Sequence, residues 1–358
     1  MHVALLANSA WLDEELPIFR HLVVGLLDEQ VRVTQVVPQL PPGAEPGLVG
    51  EPLLWEESRW SWLDRYRLAS LAPRLEELRV DLVHVLDGSL WAGGHALAKK
   101  LEVPAVYAVG SHLDLRFVQR VARDSHPNHA VFAAASQPLA EAIRDLVGKR
   151  FLIRTIPPGV HVQPRSPGCR EDRAMCIAVS GNGKLDRRYE ALLAALSDLL
   201  RDRPQLQFFL DGQGSEQHGI WRTAERLGLL PNLSLIPRRL GHRELLLRAD
   251  ALVHPQPLGR MRGLTLQAMA SAMPVLAHAD SWLDHLIEGE TAWLTDHATS
   301  DAWTDLLTRL TEQPDEATAL GQRAQAWIRQ HRRPSTQVAG VLDTYRRLTG
   351  ESFEFPTV

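Results

Sequence analysis

The chain has 358 residues, of which 45% are hydrophobic and 23% charged, with 39 basic and 43 acidic residues and a formal net charge of −4. These fractions are ordinary for a folded globular protein and exclude a disordered, collagen-like or low-complexity chain. The charge balance gives no whole-chain reason to bind nucleic acid, and none is expected as a partner. At about one domain per 150 residues, the length points to two domains. Cys169 and Cys176 are the only two cysteines and build neither a disulfide framework nor a CxxC metal site, so a cytoplasmic location is expected. No apolar run reaches the roughly 18 residues of a membrane span. The first residues lack the basic flank of a signal peptide and carry acids where its apolar run would be.

Val3–Ala7 is a continuous apolar run, the pattern of a strand buried on both faces. Asn8-Ser9-Ala10-Trp11 reads as a polar turn, with a helix opening at Asp13–Pro17 and continuing through Ile18, Leu22, Leu26 and Leu27. A second strand is expected at Val31–Val37, and Pro38–Pro52 as a loop rich in Pro and Gly. Helical sequence returns at Trp60–Leu71 and Arg74–Leu78. Strands at Asp81–Leu86, Pro104–Val109, His129–Ala135 and Phe151–Ile156 then alternate with helices at Gly93–Leu101 and Pro138–Leu146. Such alternation implies βαβ units and a parallel sheet.

Pro157-Pro158-Gly159 ends this series, and Pro164–Asp172 has the composition of a linker. The alternation restarts with strands at Met175–Val179, Gln207–Leu210, Leu233–Ile236, Ala251–His254 and Val275–Ala277, and helices between them. Asp301–Leu348 is mostly helical in pattern. The expected fold is α/β, with two doubly wound Rossmann-like domains facing a central cleft.

In such sheets ligands bind beyond the carboxyl ends of the strands. Ser180-Gly181-Asn182-Gly183-Lys184 follows the first strand of the second series, and its glycines let backbone N–H groups approach an anion; a plain tight turn fits these residues equally well. Asp211-Gly212-Gln213-Gly214 is a second glycine turn into a helix, for which the tight turn is preferred. Gly263-Leu264-Thr265 opens a helix whose free N–H groups suit a diphosphate, with Arg260 and Arg262 just before it; a pair of arginines is more often a solvated loop. The 15 His residues form no His-Glu-x-x-His, and His126 and His129 across a Pro make poor metal ligands. There is no Gly-x-Ser-x-Gly elbow, no Walker loop and no Gly-x-Gly-x-x-Gly after the first strand. Trp55, Trp60, Trp62 and Tyr66 stand with Arg59, Arg65 and Arg67, a mixture that suits sugar faces or an anionic membrane; packing onto the first domain is the expectation preferred for them.

The order of these motifs resembles the family 4 glycosyltransferases of the GT-B fold. Ile156-Pro157-Pro158-Gly159-Val160 is similar to the family's I-P-N-G-V at the domain junction, and Phe208–Gly214 to its strand followed by G-D-G. Leu227–Leu233 resembles L-G-L-x-x-N-V, Glu244–Pro255 resembles E-L-x-x-x-Y-x-x-A-D-x-x-V-x-P, and Gln267–Val275 resembles E-A-M-A-x-G-x-P-V. The first half matches more weakly, through Asp81–Val85 and through Gly110-Ser111-His112, where the family often has an acceptor-side His. The resemblance implies an acceptor-side domain over 1–160, a donor domain over 161–334, and a terminal helix and tail over 335–358 that return to the first domain. It implies a retaining transferase that takes a nucleotide-diphosphate sugar and requires no metal or cofactor. The acceptor would be a glycan, lipid or small molecule, with weak peripheral membrane association as a further expectation. Gly181, Asn182, Arg187, Gly212, Gly214, Arg260, Arg262, Gly263, Leu264, Thr265 and Gln267 fall in the implied donor site. Asn8, Ser9, Trp11 and His112 fall on the acceptor side, and His112 and Arg187 are the implied catalytic pair.

This chain departs from the family at informative positions. Where the family has two Glu eight apart, the chain has Gly259 and Gln267, and where it has Arg and Lys five apart, the chain has Asn182 and Arg187. Two alternatives stay open on these residues: a protein that binds a nucleotide, glycan or protein partner without transfer, and, more weakly, a sugar-nucleotide epimerase on the same scaffold.

Overall fold

The computed structural model describes residues 1–39, 52–58, 60–162, 174–181, 184–211, 219–236 and 241–350. They form two compact units. The first holds Met1–Gly159, the short segment Gly259–Met261 and the chain from Arg332 onward; the second holds Val160–Leu258 and Arg262–His331. Most of the Pro38–Pro52 loop and of the Pro164–Asp172 linker lies outside the described residues.

The first unit has strands β1 (His2–Leu6), β2 (Arg32–Pro38), β3 (Leu53–Trp55), β4 (Leu82–Val85), β5 (Ala105–Val109), β6 (Ala130–Ala134) and β7 (Leu152–Thr155). They pair in parallel in the order β3-β2-β1-β4-β5-β6-β7. The order reverses between β1 and β4, which makes their carboxyl ends the switch point. Its helices are α1 (Ser9–Asp28), α2 (Ser61–Ser70), α3 (Ala72–Glu77), α4 (Trp91–Leu101), α5 (Leu115–Asp124) and α6 (Gln137–Val147).

Helix α1 begins earlier than its sequence pattern indicates. Asn8 caps it, accepting the Trp11 N–H at 2.7 Å, so the expected polar turn is the first helical turn. Pro17 lies inside α1, and Glu14 and Glu15 are buried rather than solvated. The three-residue β3 follows the described part of the loop and carries no apolar run long enough to announce it.

In the second unit the strands are β8 (Cys176–Val179), β9 (Gln207–Asp211), β10 (Leu233–Ile236), β11 (Ala251–His254), β12 (Val275–His278) and β13 (Trp293–Thr295). They run parallel in the order β10-β9-β8-β11-β12-β13, with the switch point between β8 and β11. The helices are α7 (Arg187–Asp202), α8 (Ile220–Arg226), α9 (Gly241–Arg248), α10 (Gly263–Ala270), α11 (Ser300–Glu312) and α12 (Pro314–His331). Ile177, Val179, Leu196, Phe208, Trp293 and Trp303 are among the core side chains beneath this sheet. Continuous apolar strands are what burial on both faces requires.

The last helix, α13 (Pro334–Thr349), packs in the first unit. Val338, Val341, Leu342 and Tyr345 enter the same core as Val3, Leu5, Leu22 and Val131. Gly159 passes so close to the start of α13 that an added Cβ would meet the Pro334 Cα at 2.5 Å, and its N–H donates to Gln337 Oε1 at 2.8 Å. A side chain there would have to displace backbone, so glycine is required.

One expectation is overturned in this unit. Trp60, Trp62 and Tyr66 are 65%, 62% and 66% exposed rather than packed. Helix α2 buries Asp64 and Leu68, which lie four apart on one face. Trp62 and Tyr66 stand two residues either side of Asp64, which at 3.6 residues per turn is the opposite face.

Candidate active site

Both switch points carry buried polar groups. In the first unit a cavity of about 250 Å³ lies beyond the carboxyl ends of the strands and is lined by residues of that unit alone. Its inner wall is apolar, with Ile18 and Leu22 of α1, Ala133 of β6, Ile156 after β7 and Val341 of α13. His84 of β4 lines the cavity as well. Its Nδ1 lies 2.6 Å from the Tyr345 hydroxyl, and its buried Nε2 has no hydrogen-bond partner among the described residues. Burial pushes the His84 pKa down to about 3, so the ring is neutral at physiological pH.

The rim of the cavity is acidic. Asp87 follows β4, and its Oδ1 accepts from Asn8 Nδ2 at 3.0 Å, the Ser89 N–H at 2.8 Å and the Ser89 hydroxyl at 2.5 Å. Asp114 closes a capping box with Ser111, its Oδ2 accepting the Gly110 and Ser111 N–H groups at 3.1 and 2.9 Å. Burial first, and then the neighbouring Asp87, push the Asp114 carboxyl up to about 6, against the pull of those two N–H groups and of Arg260.

Arg260 reaches this rim because Gly259–Met261 folds with the first unit. The His112 N–H donates to the Gly259 carbonyl and the Met261 N–H to the Gly110 carbonyl, each at 2.9 Å. Ser111 and Arg260 thereby pair as an antiparallel bridge. Gly259 has φ +58°, in the left-handed region that glycine tolerates best. The Arg260 guanidinium sits 3.0 Å from Glu14 Oε2. Burial opposes its charge, but Glu14, Glu15, Asp87 and Asp114 outweigh burial and hold its pKa above the ordinary value.

The second unit gathers a polar nest at its own switch point. Gln256 is fully buried after β11 and donates from Nε2 to the Lys184 carbonyl at 2.9 Å. Buried Arg262 donates from one guanidinium nitrogen to the Gly181 carbonyl at 3.3 Å. Thr265 Oγ1 lies 3.1 Å from His254 Nδ1. Burial, Arg262 and His285 together drive the His254 pKa well down, which leaves a neutral ring. Ser180 Oγ, Gln256 Oε1 and His254 Nε2 are buried without a hydrogen-bond partner among the described residues. Helix α10 starts here; Arg262 is its N-cap residue and supplies no side-chain cap, while Gly263, Leu264 and Thr265 of its first turn are buried. A buried helix start without a capping side chain is a place for an anion.

Comparison with known proteins decides the family. Residues 166–327 match the family model described as glycosyl transferases group 1, and residues 18–163 match the one described as glycosyltransferase family 4. The chain belongs to the family 4 glycosyltransferases of the GT-B fold. A D-inositol 3-phosphate glycosyltransferase from Segniliparus rotundus is 23% identical over 210 residues, which is 54% of this chain and 46% of that relative, so the match spans about half its length. The fold is similar to that of sucrose-phosphate synthase from Thermosynechococcus elongatus, with a TM-score of 0.78 and 16% identity over 98% of this chain and 100% of that one. It is also similar to Anabaena HepE in complex with UDP and glucose, with a TM-score of 0.72 and 17% identity over 96% and 98% of the two chains.

The structure places the residues marked in the sequence in several different settings. Asn8 is consumed by the α1 cap and by its bonds to Asp87 and Ser89, so its role is to hold Asp87. Ser9 donates its N–H to Glu57 Oε2 at 3.2 Å, and its hydroxyl bonds the same oxygen. Trp11 does line the cavity. The His112 ring is not in the cavity lining, and its N–H is spent on Gly259. The Arg260 guanidinium is set among the carboxylates of the first unit. Arg187 is exposed in the first turn of α7. Gly181, Arg262, Gly263, Leu264 and Thr265 are brought together, and Gln267 lies one turn further along α10. Asn182, Gly212 and Gly214 lie outside the described residues. Asp87, Asp114 and Gln256 carry no motif that marks them in the sequence, and His84 and His254 lie inside family-like segments without being singled out there. Asp87 and Gln256 are nonetheless findable as polar residues one or two positions past a strand end.

Proposed function

We propose that the protein transfers a sugar from a nucleotide-diphosphate sugar to a hydroxyl of an acceptor held in the first-unit cavity, with retention and with no metal required. The observation that carries this reading is the buried start of α10, where the N-cap residue Arg262 gives no side-chain cap and brings a buried guanidinium. In the transfer, the acceptor oxygen bonds the anomeric carbon and passes its proton to the departing diphosphate oxygen. The diphosphate leaves with the electron pair of the broken bond. Helix N–H groups and the Arg262 guanidinium are suited to hold the charge that develops on it. Anabaena HepE, similar in fold, is in complex with UDP and glucose, which supports a nucleotide on this scaffold.

Calorimetric titration of UDP and GDP tests the assignment. One of them is expected to bind below millimolar concentration, and its sugar conjugates to be hydrolysed slowly without acceptor. Binding of neither nucleotide sinks the donor-site assignment. Binding without hydrolysis of any conjugate favours the second reading, a nucleotide-binding protein without transfer. Gly259 is the observation behind that alternative, because it offers backbone to Ser111 and His112 where the family offers a carboxylate.

Weak association with an anionic membrane surface is part of the proposal. Trp62 and Tyr66 are exposed on one side of α2, Trp60 is exposed just before its start, and exposed Arg65, Lys99 and Lys100 stand on α2 and α4. Aromatic rings settle at headgroup level, and each cation near an anionic leaflet adds about 1 kcal/mol. The chain should sediment with phosphatidylserine vesicles, less so in high salt, and the double variant Trp60→Ala/Trp62→Ala should remain in the supernatant. A wild type that stays in solution with such vesicles refutes the association.

A further inference from the structure

We infer that the cavity of the first unit takes an alcohol that carries a short apolar segment and bears no phosphate or carboxylate. The inference rests on the proposed transfer reaction, in which this cavity holds the acceptor. Two independent features of the site carry it.

The first is the wall. Ile18, Leu22, Ala133, Ile156 and Val341 present carbon to the interior of the cavity. A hydroxyl buried against such a surface without a partner is costly, so the inner part of a ligand must itself be largely carbon. The volume of about 250 Å³ lies below the roughly 300–1,000 Å³ of sites for drug-sized ligands, so the apolar segment is short. His84 lines the same cavity, and its buried Nε2 is without a partner among the described residues. A small rotation of the ring would open that nitrogen to a ligand hydroxyl, which suits either tautomer because a hydroxyl both donates and accepts. An anion gains no charge there, since the ring is neutral.

The rim is the second feature. Glu14, Glu15, Asp87 and Asp114 surround Arg260, and Arg260 is already at 3.0 Å from Glu14. Arg116, the other cation lining the cavity, is exposed and lies over the Phe117 ring at 4.5 Å. Among the described residues that line the cavity, Glu15, Asp87 and Asp114 stand against Arg116 and Arg260, so a phosphate entering this rim meets more negative charge than positive, in a partly desolvated place where like charges repel strongly. Sugar or polyol hydroxyls meet good acceptors there, above all the Asp87 carboxylate, which Asn8 and Ser89 hold by one oxygen. The acceptor class therefore differs from the phosphorylated inositol in the name of the Segniliparus relative.

Three probes separate the terms: hexyl β-glucoside, hexyl phosphate and glucose, each titrated calorimetrically into the full chain below its micellar concentration. Hexyl glucoside is expected to bind at least ten-fold more tightly than either of the others. Filling the cavity with Ala133→Leu should weaken hexyl glucoside at least ten-fold. Asp87→Asn, isosteric and still able to accept from Asn8, should strengthen hexyl phosphate at least ten-fold; Asp114→Asn should do the same and serves if the first variant does not fold. The inference is overturned if hexyl phosphate or glucose binds the wild type as well as hexyl glucoside does, if none of the three binds, or if neither folded Asn variant gains affinity for hexyl phosphate. UDP and GDP titrations on the same preparation keep the readings apart. A nucleotide bound while hexyl glucoside is refused overturns the acceptor class alone. Hexyl glucoside bound with neither nucleotide bound overturns the transfer reaction and leaves the ligand class standing.

Discussion

Arg262→Met should weaken binding of the accepted nucleoside diphosphate by about ten- to a hundred-fold, because a hydrogen bond to a charged group is worth about 1.5–3 kcal/mol and each 1.4 kcal/mol is a factor of ten. Methionine keeps much of the length and apolar stem of arginine while removing its charge. Arg262 is buried at the N-cap of α10, where the helix start already favours an anion, so its charge acts at short range and out of bulk water. The variant also deprives the Gly181 carbonyl of its donor, at a cost of about 1–3 kcal/mol in stability. Thermal melts run beside the titrations separate that loss from the loss of ligand. Gln267→Ala should cost less, because a neutral amide is lost. Unchanged nucleotide affinity in folded Arg262→Met would remove Arg262 from the donor site.

Much of the scaffold is legible in the sequence because parallel strands buried on both faces are written as short apolar runs. Val3–Ala7, Ala130–Ala134 and Ala251–His254 are such runs, and the order of the turns between them carries the resemblance to the family. Short peripheral strands are not marked in this way. β3 and β13 are three residues each, and they pair at the sheet edges. The acidic rim is illegible for another reason. Glu14, Asp87, Asp114 and Arg260 come from four distant stretches, and the bridge between Ser111 and Arg260 brings the last of them to the others. Local pattern cannot distinguish a loop arginine that awaits a phosphate from one already paired with a carboxylate. The face of α2 is open to arithmetic, since Trp62 and Tyr66 cannot share the buried side with Asp64 and Leu68. Composition favours packing for those rings, but spacing decides against it.

Asp114→Asn should stabilise the protein at neutral pH while removing a pH dependence that the wild type has. In the folded chain the Asp114 carboxyl is raised to about 6 by burial and by Asp87, whereas an unfolded Asp titrates near 3.9. Between those values the folded state holds a proton that the unfolded state has released. Stability therefore falls as pH rises through this window: the favourable contribution is complete below about pH 4 and gone above about pH 6. Asparagine cannot ionise, can still accept the Gly110 and Ser111 N–H groups, and offers Asp87 a donor in place of a repelling charge. The gain at pH 7.5 should be on the order of 1–3 kcal/mol. Urea unfolding of both proteins at pH 4.5, 6.0 and 7.5 reads the effect as a difference that widens with pH, in which the other titrating groups largely cancel. A constant difference across the three values, or a variant less stable at pH 7.5, contradicts it. A carboxylate that weakens the fold at working pH is the local conflict expected of a residue kept for its ligand. The gain in stability should therefore come with a loss of discrimination against hexyl phosphate in the cavity beside it.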